Sequence, residues 1–354
     1  MGRALLGLMI VFCLEAAPKR VLFLTHSAGF RHGSIEVARR VMDQVAQRTE
    51  KLEVVSTEDL AMLAPERIRE FDVLFFFTSG ELALSTAQKS GLLEFVREGK
   101  GFGGAHSATD TLYTWPEYGE LIGGYFDGHP WTQEAGIDIE DPDHPASRHL
   151  SPSFRILEEF YQFRSWSRES VRVLMTLDTT TIDPAAQGVN RADGDFALAW
   201  VRDFGRGRVF YTALGHFDET WLDARFQRTL EQALLWLARE VDGDAAPRRS
   251  APSITRVSNL GQPSDGVITR GRYVVVSGDG LTSGSTAVAA TKPAKLAGTQ
   301  VIIGGKPAAL VLVTPRAVVA EAPADLDEEG TAELVLISGS VERSQPRTVL
   351  LSRE

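Results

Sequence analysis

The chain has 354 residues, of which 43% are hydrophobic and 24% are charged, a composition typical of globular domains with a substantial core. This length exceeds that of one average domain, so two domains are expected. The formal net charge of -10 argues against nucleic acid or an anionic membrane surface as the main partner.

The N-terminal segment, residues 1–17, has the features of a secretory signal peptide. An early arginine precedes an apolar stretch over residues 4–14, and Ala17 stands before Pro18. The stretch is too short for a mature membrane span, and the residues before Cys13, the only cysteine, do not form a lipidation signal. We therefore expect a secreted or periplasmic protein without disulfides. A buried N-terminal strand or a misassigned start is the alternative.

From residue 18 onward, apolar runs alternate with amphipathic segments. The pattern predicts buried strands at residues 20–25, 52–56 and 73–78 and in the glycine-rich run before residue 106, with helices after residues 34 and 85. Ser34 is placed to cap the first helix, and Ser85 with Gln88 predicts a capping box at the second. This order, with short loops, predicts a doubly wound α/β sheet.

The fourth strand leads into a sharp bend that organises the predicted site. Its small residues let backbone approach backbone, and the bend presents His106 beyond the carboxyl ends of parallel strands, where open α/β folds bind ligands. Hydrolases with this geometry carry Ser or Cys at the bend, so an imidazole argues against acyl transfer. Asp110, four residues later, can orient His106 or complement the dipole of a helix start.

The remainder of the first domain is less regular. A short helix begins at Pro116, and residues 126–149 form a long loop region with one strand at 136–140. Further strands are predicted at residues 171–177, 196–201 and 208–212, followed by His216 and a helix with apolar positions between residues 222 and 237.

The sequence pattern changes after residue 241. Residues 242–252 lack periodicity and predict a linker. Short β-type runs separated by glycine turns follow, and they predict a small β-sandwich over residues 253–354. The first domain accordingly covers residues 18–241.

All seven histidines lie in the first domain, in predicted loops or at strand ends. His106 and His216 are the leading catalytic candidates because each follows a predicted strand. Glu159, which strand alternation places on the same face as Tyr161, is a further candidate beside Asp110 for orienting an imidazole. Each of these residues can also be structural. The candidates for contacting substrate are His32, His129, His144, Tyr113, Trp115 and Tyr161.

Five separated blocks resemble the trehalose-utilisation (ThuA-like) family, in the family's order. They lie within residues 25–32, 104–130, 143–145, 158–161 and 205–216, and the second contains Gly-Ala-His-Ser-Ala-Thr-Asp. The resemblance covers about residues 19–240. It implies a flavodoxin-like fold similar to class I glutamine amidotransferases, in which a cysteine occupies the bend and a later segment supplies its base.

The resemblance also bears on individual residues. His106 stands where the amidotransferases carry their cysteine, so glutaminase activity is not expected, and residues 215–219 resemble the segment that supplies the base. The family's first loop more often has another residue at the position of His26, so His32 is the stronger candidate. The C-terminal part, through residues 271–281 and 300–307, resembles an immunoglobulin-like TIG module, an accessory for binding or spacing.

The family's association with trehalose and keto-sugars implies an enzyme acting on a sugar or keto-sugar, such as a trehalose-like glycoside derivative. Two chemistries stay open. His106 can be a metal-free general base, or a divalent metal such as zinc can polarise a carbonyl during isomerisation, elimination or hydrolysis. The candidate metal ligands are His32, His106, His129 and His216. The alternative to an enzyme is a non-catalytic carbohydrate-binding protein on the same fold.

Overall fold

The computed structural model describes residues 17–183, 185–191, 194–247, 252–262, 264–282, 286–314, 316–338 and 342–353. All elements given below are formed by these residues. The predicted signal peptide lies outside them except for Ala17. Of the described helices, none combines the length and apolar character needed to cross a bilayer.

The first domain alternates strands and helices. Its elements are β1 (Lys19–Leu24), α1 (Ile35–Thr49), β2 (Leu52–Thr57), α2 (Pro65–Ile68), β3 (Val73–Phe76), α3 (Thr86–Arg97), β4 (Gly101–Ala105), α4 (Pro116–Ile122), β5 (Tyr125–Phe126), β6 (Trp131–Ile139), β7 (Ser153–Phe160), β8 (Phe163–Arg164), β9 (Arg172–Leu177), β10 (Ala197–Phe204), β11 (Gly207–Thr212), α5 (Asp218–Leu222) and α6 (Ala224–Leu237). Short 3-10 helices lie at Leu60–Leu63, His106–Thr109 and Thr179–Thr181.

Nine of the described strands form one sheet in the order β2-β1-β3-β4-β11-β10-β9-β6-β7. The first five are parallel to one another, which confirms the predicted doubly wound α/β core. The last four extend it as antiparallel strands. Gly103 in β4 is required by packing, because a Cβ there would lie 2.6 Å from the ring of Phe75. The helices can therefore press closely on the centre of the sheet.

Two local expectations are wrong, and both concern the site. Ser34 makes no side-chain cap to α1, and its hydroxyl instead donates to the Gly215 carbonyl at 3.1 Å. The loop region of residues 126–149 contains a strand as predicted, but β6 begins at Trp131 rather than at residue 136 and has nine residues. This strand pairs with β7 from Trp131 onward, whereas β9 reaches only its last three residues. The first six residues of β6, with the part of β7 paired to them, therefore extend beyond β9 and the rest of the main sheet.

The described C-terminal residues form a β-rich region with its own apolar core. Its strands are β12 (Ser253–Asn259), β13 (Val267–Thr269), β14 (Tyr273–Asp279), β15 (Ala287–Val288), β16 (Gln300–Ile303), β17 (Lys306–Pro307), β18 (Ala309–Val313), β19 (Ala317–Glu321), β20 (Gly330–Ser338), β21 (Glu342–Arg343) and β22 (Arg347–Ser352). They are joined as one eleven-stranded sheet. The all-β character agrees with the sequence, whereas two separate facing sheets are not what the hydrogen bonding shows.

The segment directly after α6 is held by the first domain. The Gly243 carbonyl accepts a hydrogen bond from the Trp236 indole at 2.9 Å, Asp244 pairs with Arg172 at 2.7 Å, and Ala245 is buried. The first residues of the predicted linker thus contact β9 and α6.

A fragment ending at residue 247 is therefore expected to be more stable than one ending at residue 241. Losing the acceptor of the Trp236 indole and one of the two carboxylate partners of Arg172 costs about 2 kcal/mol, or roughly 5 °C in melting temperature. Circular dichroism melts of fragments 18–247 and 18–241 measure the difference. Equal melting temperatures would contradict the expectation. An unfolded 18–247 fragment beside a folded full chain would mean that the two parts share a core.

Candidate functional site

The turn after β4 presents His106 at the carboxyl edge of the parallel strands. Its side chain is fully buried, and its φ of 46° is a left-handed conformation rare for a residue with a Cβ. Strands β4 and β11 are parallel neighbours, so the segment that follows β11 runs beside this turn. His216 consequently meets His106, with 3.2 Å between Nδ1 of His216 and Nε2 of His106, although 110 residues separate them.

Hydrogen bonds fix the tautomer of His106. Its Nδ1 lies 2.8 Å from the carbonyl oxygen of Ala213, which can only accept, so Nδ1 carries the proton. Its Nε2 is then an acceptor, and the Tyr161 hydroxyl donates to it at 2.8 Å. The two rings also lie against each other, with centroids 4.3 Å apart. His106 is therefore a rigidly held imidazole whose lone pair faces the group of polar side chains.

Glu159 binds the ring of His216. Its Oε2 lies 2.9 Å from His216 Nδ1 and 3.7 Å from His106 Nε2. Burial alone would raise the pKa of the Glu159 carboxyl, but the adjoining imidazoles, among which His216 donates a hydrogen bond, outweigh it and lower that pKa. Burial would likewise lower the pKa of His216, and the Glu159 carboxylate outweighs it and raises that pKa. The pair thus favours a carboxylate beside an imidazole that readily holds a proton.

His32 supplies a third imidazole. Its ring centroid lies 4.7 Å from that of His106 and 5.3 Å from that of His216, and its Nδ1 lies 3.4 Å from the Ser107 hydroxyl. Burial, together with the two neighbouring imidazoles, lowers the pKa of His32 to about 3, so the ring is neutral at physiological pH. One nitrogen from each of the three rings lies within 4.8 Å of the others.

The imidazoles of His32, His106 and His216 are of the chemical type that binds divalent metal ions. Neutral imidazoles are common zinc ligands. The hydrogen bond from His106 Nδ1 to a backbone carbonyl is the outer contact that orients many metal-binding histidines. The fourth predicted ligand, His129, is outside this group: its side chain is 45% exposed, and its Nδ1 lies 3.8 Å from Oε1 of Glu159.

Asp110 and Tyr113 form a neighbouring pair. The 3-10 helix that follows β4 ends at Thr109, and Asp110 accepts a hydrogen bond from the Tyr113 hydroxyl at 2.6 Å. Burial is the main cause of a raised pKa at Asp110. The partners that orient His106 among the described residues are Ala213 and Tyr161, and Asp110 is not one of them.

Two predicted substrate-binding residues lie elsewhere. Trp115 is buried and stacks on Tyr118, with ring centroids 6.0 Å apart. His144 is also buried and meets Trp236 of α6 edge-on at 5.1 Å. The structure does not bring either side chain to the three imidazoles.

Sequence reasoning missed Glu158. Alternation along a strand predicts that only one of two adjacent carboxylates points inward, and Glu159 fills that role. Glu158 is nevertheless fully buried on the other side of the strand, where it accepts hydrogen bonds from the backbone N–H groups of Gly215 and His216. The only signal in the sequence is its place beside Glu159 and Tyr161.

The first domain is therefore a doubly wound α/β domain with a histidine, and not a thiol, at the strand-to-helix bend, and this combination defines the class of protein. The family model described as trehalose utilisation, ThuA, matches residues 20–237. The chain belongs to this family. No curated relative matches its sequence.

Two solved structures of ThuA-like proteins are similar to this chain at low sequence identity. A ThuA-like protein from Parabacteroides merdae is 18% identical, with a TM-score of 0.51 over 66% of this chain and 94% of that chain. A ThuA-like protein from Bacteroides uniformis is 21% identical, with a TM-score of 0.49 over 65% of this chain and 95% of that chain. At such identities, the first likeness supports the fold and nothing finer.

Proposed function

We propose that the chain is an exported enzyme of carbohydrate metabolism that acts on a sugar or keto-sugar derivative, with histidine acid–base chemistry. The description of the matched family, trehalose utilisation, supports the substrate class. Export rests on the sequence of residues 1–17. The main support for the catalytic role is the contact of Glu159 with His216, in which Oε2 of Glu159 lies 2.9 Å from Nδ1 of His216.

In this proposal His216 exchanges the proton. Glu159 accepts from Nδ1 of His216, so Nε2 is the ring nitrogen that can give a proton to a leaving oxygen or take one from a carbon beside a carbonyl. His106 serves differently, because Ala213 and Tyr161 already occupy both of its ring nitrogens. It holds the neighbouring imidazole in place, with its Nε2 3.2 Å from Nδ1 of His216.

An exposed aromatic ring bordering the group supports a sugar as substrate. Phe30 is 64% exposed, and its ring meets His32 edge-on at 4.9 Å. We propose that the Phe30 ring packs against the apolar face of a pyranose ring.

A metal-assisted variant of this chemistry is favoured by one observation, the approach of three ring nitrogens within 4.8 Å. His32, His106 and His216 would hold the ion. A divalent metal such as zinc would supply a Lewis acid that polarises a carbonyl or hydroxyl oxygen.

Turnover of sugars, glycosides and 3-keto-sugars by residues 18–354, followed by mass spectrometry with and without a chelator, tests the proposal. We expect one substrate class to be converted. Glu159→Gln is expected to lower kcat about 10²-fold, since His216 loses its carboxylate partner. The exposed Glu134→Gln is the matched control and should keep full activity.

Three outcomes separate the alternatives. Activity lost to the chelator and restored by zinc supports the metal-assisted variant, and unchanged activity supports the metal-free one. Calorimetric binding of a sugar without turnover would contradict the enzyme and favour a carbohydrate-binding protein.

We propose further that the C-terminal region is an accessory TIG-like immunoglobulin module. Its β-rich architecture and its lack of histidine and cysteine support a role in binding or spacing.

A further inference from the structure

Glu158 is a buried carboxylate that the proposed chemistry does not use. We propose that Glu158 is a positioning residue, which fixes the backbone of the segment that carries His216 and thereby sets the place of this imidazole. The inference rests on the proposed function only for its effect on turnover, because the positional part concerns the protein alone.

Both oxygens of Glu158 face donors. Oε2 accepts from the backbone N–H of Gly215 at 2.8 Å and from the Thr220 hydroxyl at 2.8 Å. Oε1 accepts from the backbone N–H of His216 at 3.1 Å and from that of Glu159 at 3.0 Å. The side chain is fully buried, so water cannot replace it as the acceptor for these groups. One carboxylate therefore joins the end of β7 to the segment between β11 and α5.

This segment needs partners because it contains a flexible residue. Gly215 has φ 130°, a conformation that side-chain-bearing residues rarely adopt. Its carbonyl accepts from the Ser34 hydroxyl at 3.1 Å and from the Trp221 indole at 2.8 Å. The peptide groups next to His216 are thus held from one side by Ser34 and Trp221 and from the other by Glu158.

Adjacent side chains of β7 divide the task of holding His216. They leave a strand on opposite sides, and here Glu158 binds the main chain of His216 while Glu159 binds its ring. A shift of about 1 Å in a reacting group can cost about 10²-fold in rate. Glu158 touches no ring atom of His216, yet it can therefore control the activity of the His216 imidazole.

Glutamine at position 158 tests this role. A carboxamide has one acceptor oxygen, and its NH₂ would face a backbone N–H of Gly215 or His216, so the two donors cannot both be satisfied. For the substrate found in the turnover screen, we expect Glu158→Gln to lower kcat about 10–100-fold, with KM within about twofold. Glu231→Gln, which alters another buried carboxylate on α6 outside the site, is the matched control and should keep wild-type kcat.

Crystal structures of wild type and Glu158→Gln give a readout that needs no substrate. We expect the separation of His216 Nδ1 and Glu159 Oε2, 2.9 Å here, to lengthen by about 1 Å. An unmoved His216 with wild-type kcat and only a lower melting temperature would overturn the inference. Should Glu158→Gln not fold, kcat and the position of His216 are measured in Glu158→Asp instead. Aspartate keeps both acceptor oxygens but holds them on a shorter side chain. A displaced ring in a protein that turns over no sugar would support the positioning role and count against the proposed function alone.

Discussion

Replacing His216 by asparagine is expected to lower kcat about 10²–10⁴-fold while the protein stays folded. The asparagine amide can occupy the place of Nδ1 and donate to Glu159, whereas the nitrogen that exchanges the proton is lost. A general acid or base contributes about 10²–10⁴-fold in rate. The side chain of His216 is 21% exposed, so its truncation leaves little buried space. Steady-state kinetics and a thermal melt of the same preparation check both halves of the prediction.

A control variant and a threshold for kcat sharpen this prediction. His149→Asn is the control, because the His149 ring contacts the Arg225 carbonyl away from the site, and its kcat should not change. A His216→Asn enzyme with at least a tenth of wild-type kcat would contradict the proton-exchange role.

Replacing His106 separates metal binding from positioning. His106→Asn keeps a donor for the Ala213 carbonyl and loses Nε2, so we expect a fall in kcat of about 10²-fold. Metal content measured in both variants shows whether the rings are ligands, because a lost ligand lowers bound metal together with rate. Alanine at position 106 would be a poorer test. The ring is fully buried, and its removal leaves a cavity and an unpaired carbonyl.

The second large effect concerns stability in acid. Burial, partly offset by Asp141, lowers the pKa of His144 from 6.5 to about 4. The unfolded chain therefore binds a proton below pH 6.5 that the folded protein binds only near pH 4, and the free energy of unfolding falls as the pH falls through this window. At about 1.4 kcal/mol for each pH unit, the loss reaches about 3 kcal/mol.

His144→Asn tests this acid sensitivity. Asparagine can still accept the hydrogen bond that the Ala146 N–H donates to His144 Nδ1, but it does not titrate. Denaturant unfolding at pH 7.5 and at pH 4.5 should show a smaller loss for this variant than for wild type. The loss will not vanish, because the lowered pKa of His32 acts in the same direction. The partly exposed His26→Asn is the control, and a loss in His144→Asn as large as in wild type would refute the prediction.

The parallel half of the domain could be predicted from the sequence because its signals are local. Continuous apolar runs mark β1 and β3, a capping box marks the start of α3 and is present, and small residues mark the turn before His106. In the antiparallel half, β9 and β10 could be predicted as well, but only the second part of β6 could. The first residues of β6 pair only with β7, a hairpin partner that follows after a long connection, and they alternate too weakly to be separated from a loop.

The candidate site, like the fold, could be predicted in part from the sequence. His106 and His216 follow neighbouring parallel strands, so the topology alone brings them together. Ser34 and Glu158 could not be foreseen, since each binds main-chain groups of Gly215 or His216, and a backbone N–H or carbonyl leaves no trace in a sequence.

The extension of the β6–β7 hairpin beyond the main sheet has a consequence for how the chain acquires its chemistry during folding. The hydrogen bonds that link this hairpin and the residues just after it to the ring of His106 and to the main chain of Gly215 and His216 span 55 to 58 positions, and the one between the rings of His106 and His216 spans 110. Contacts of such sequence separation close long loops, and the chain entropy of closure is lost before the contacts compensate it. A nascent domain with only β1, β3, β4 and β11 assembled would hold the three imidazoles and neither carboxylate. Competence for acid–base chemistry therefore depends on docking of the far edge strand, at the opposite end of the sheet from β2.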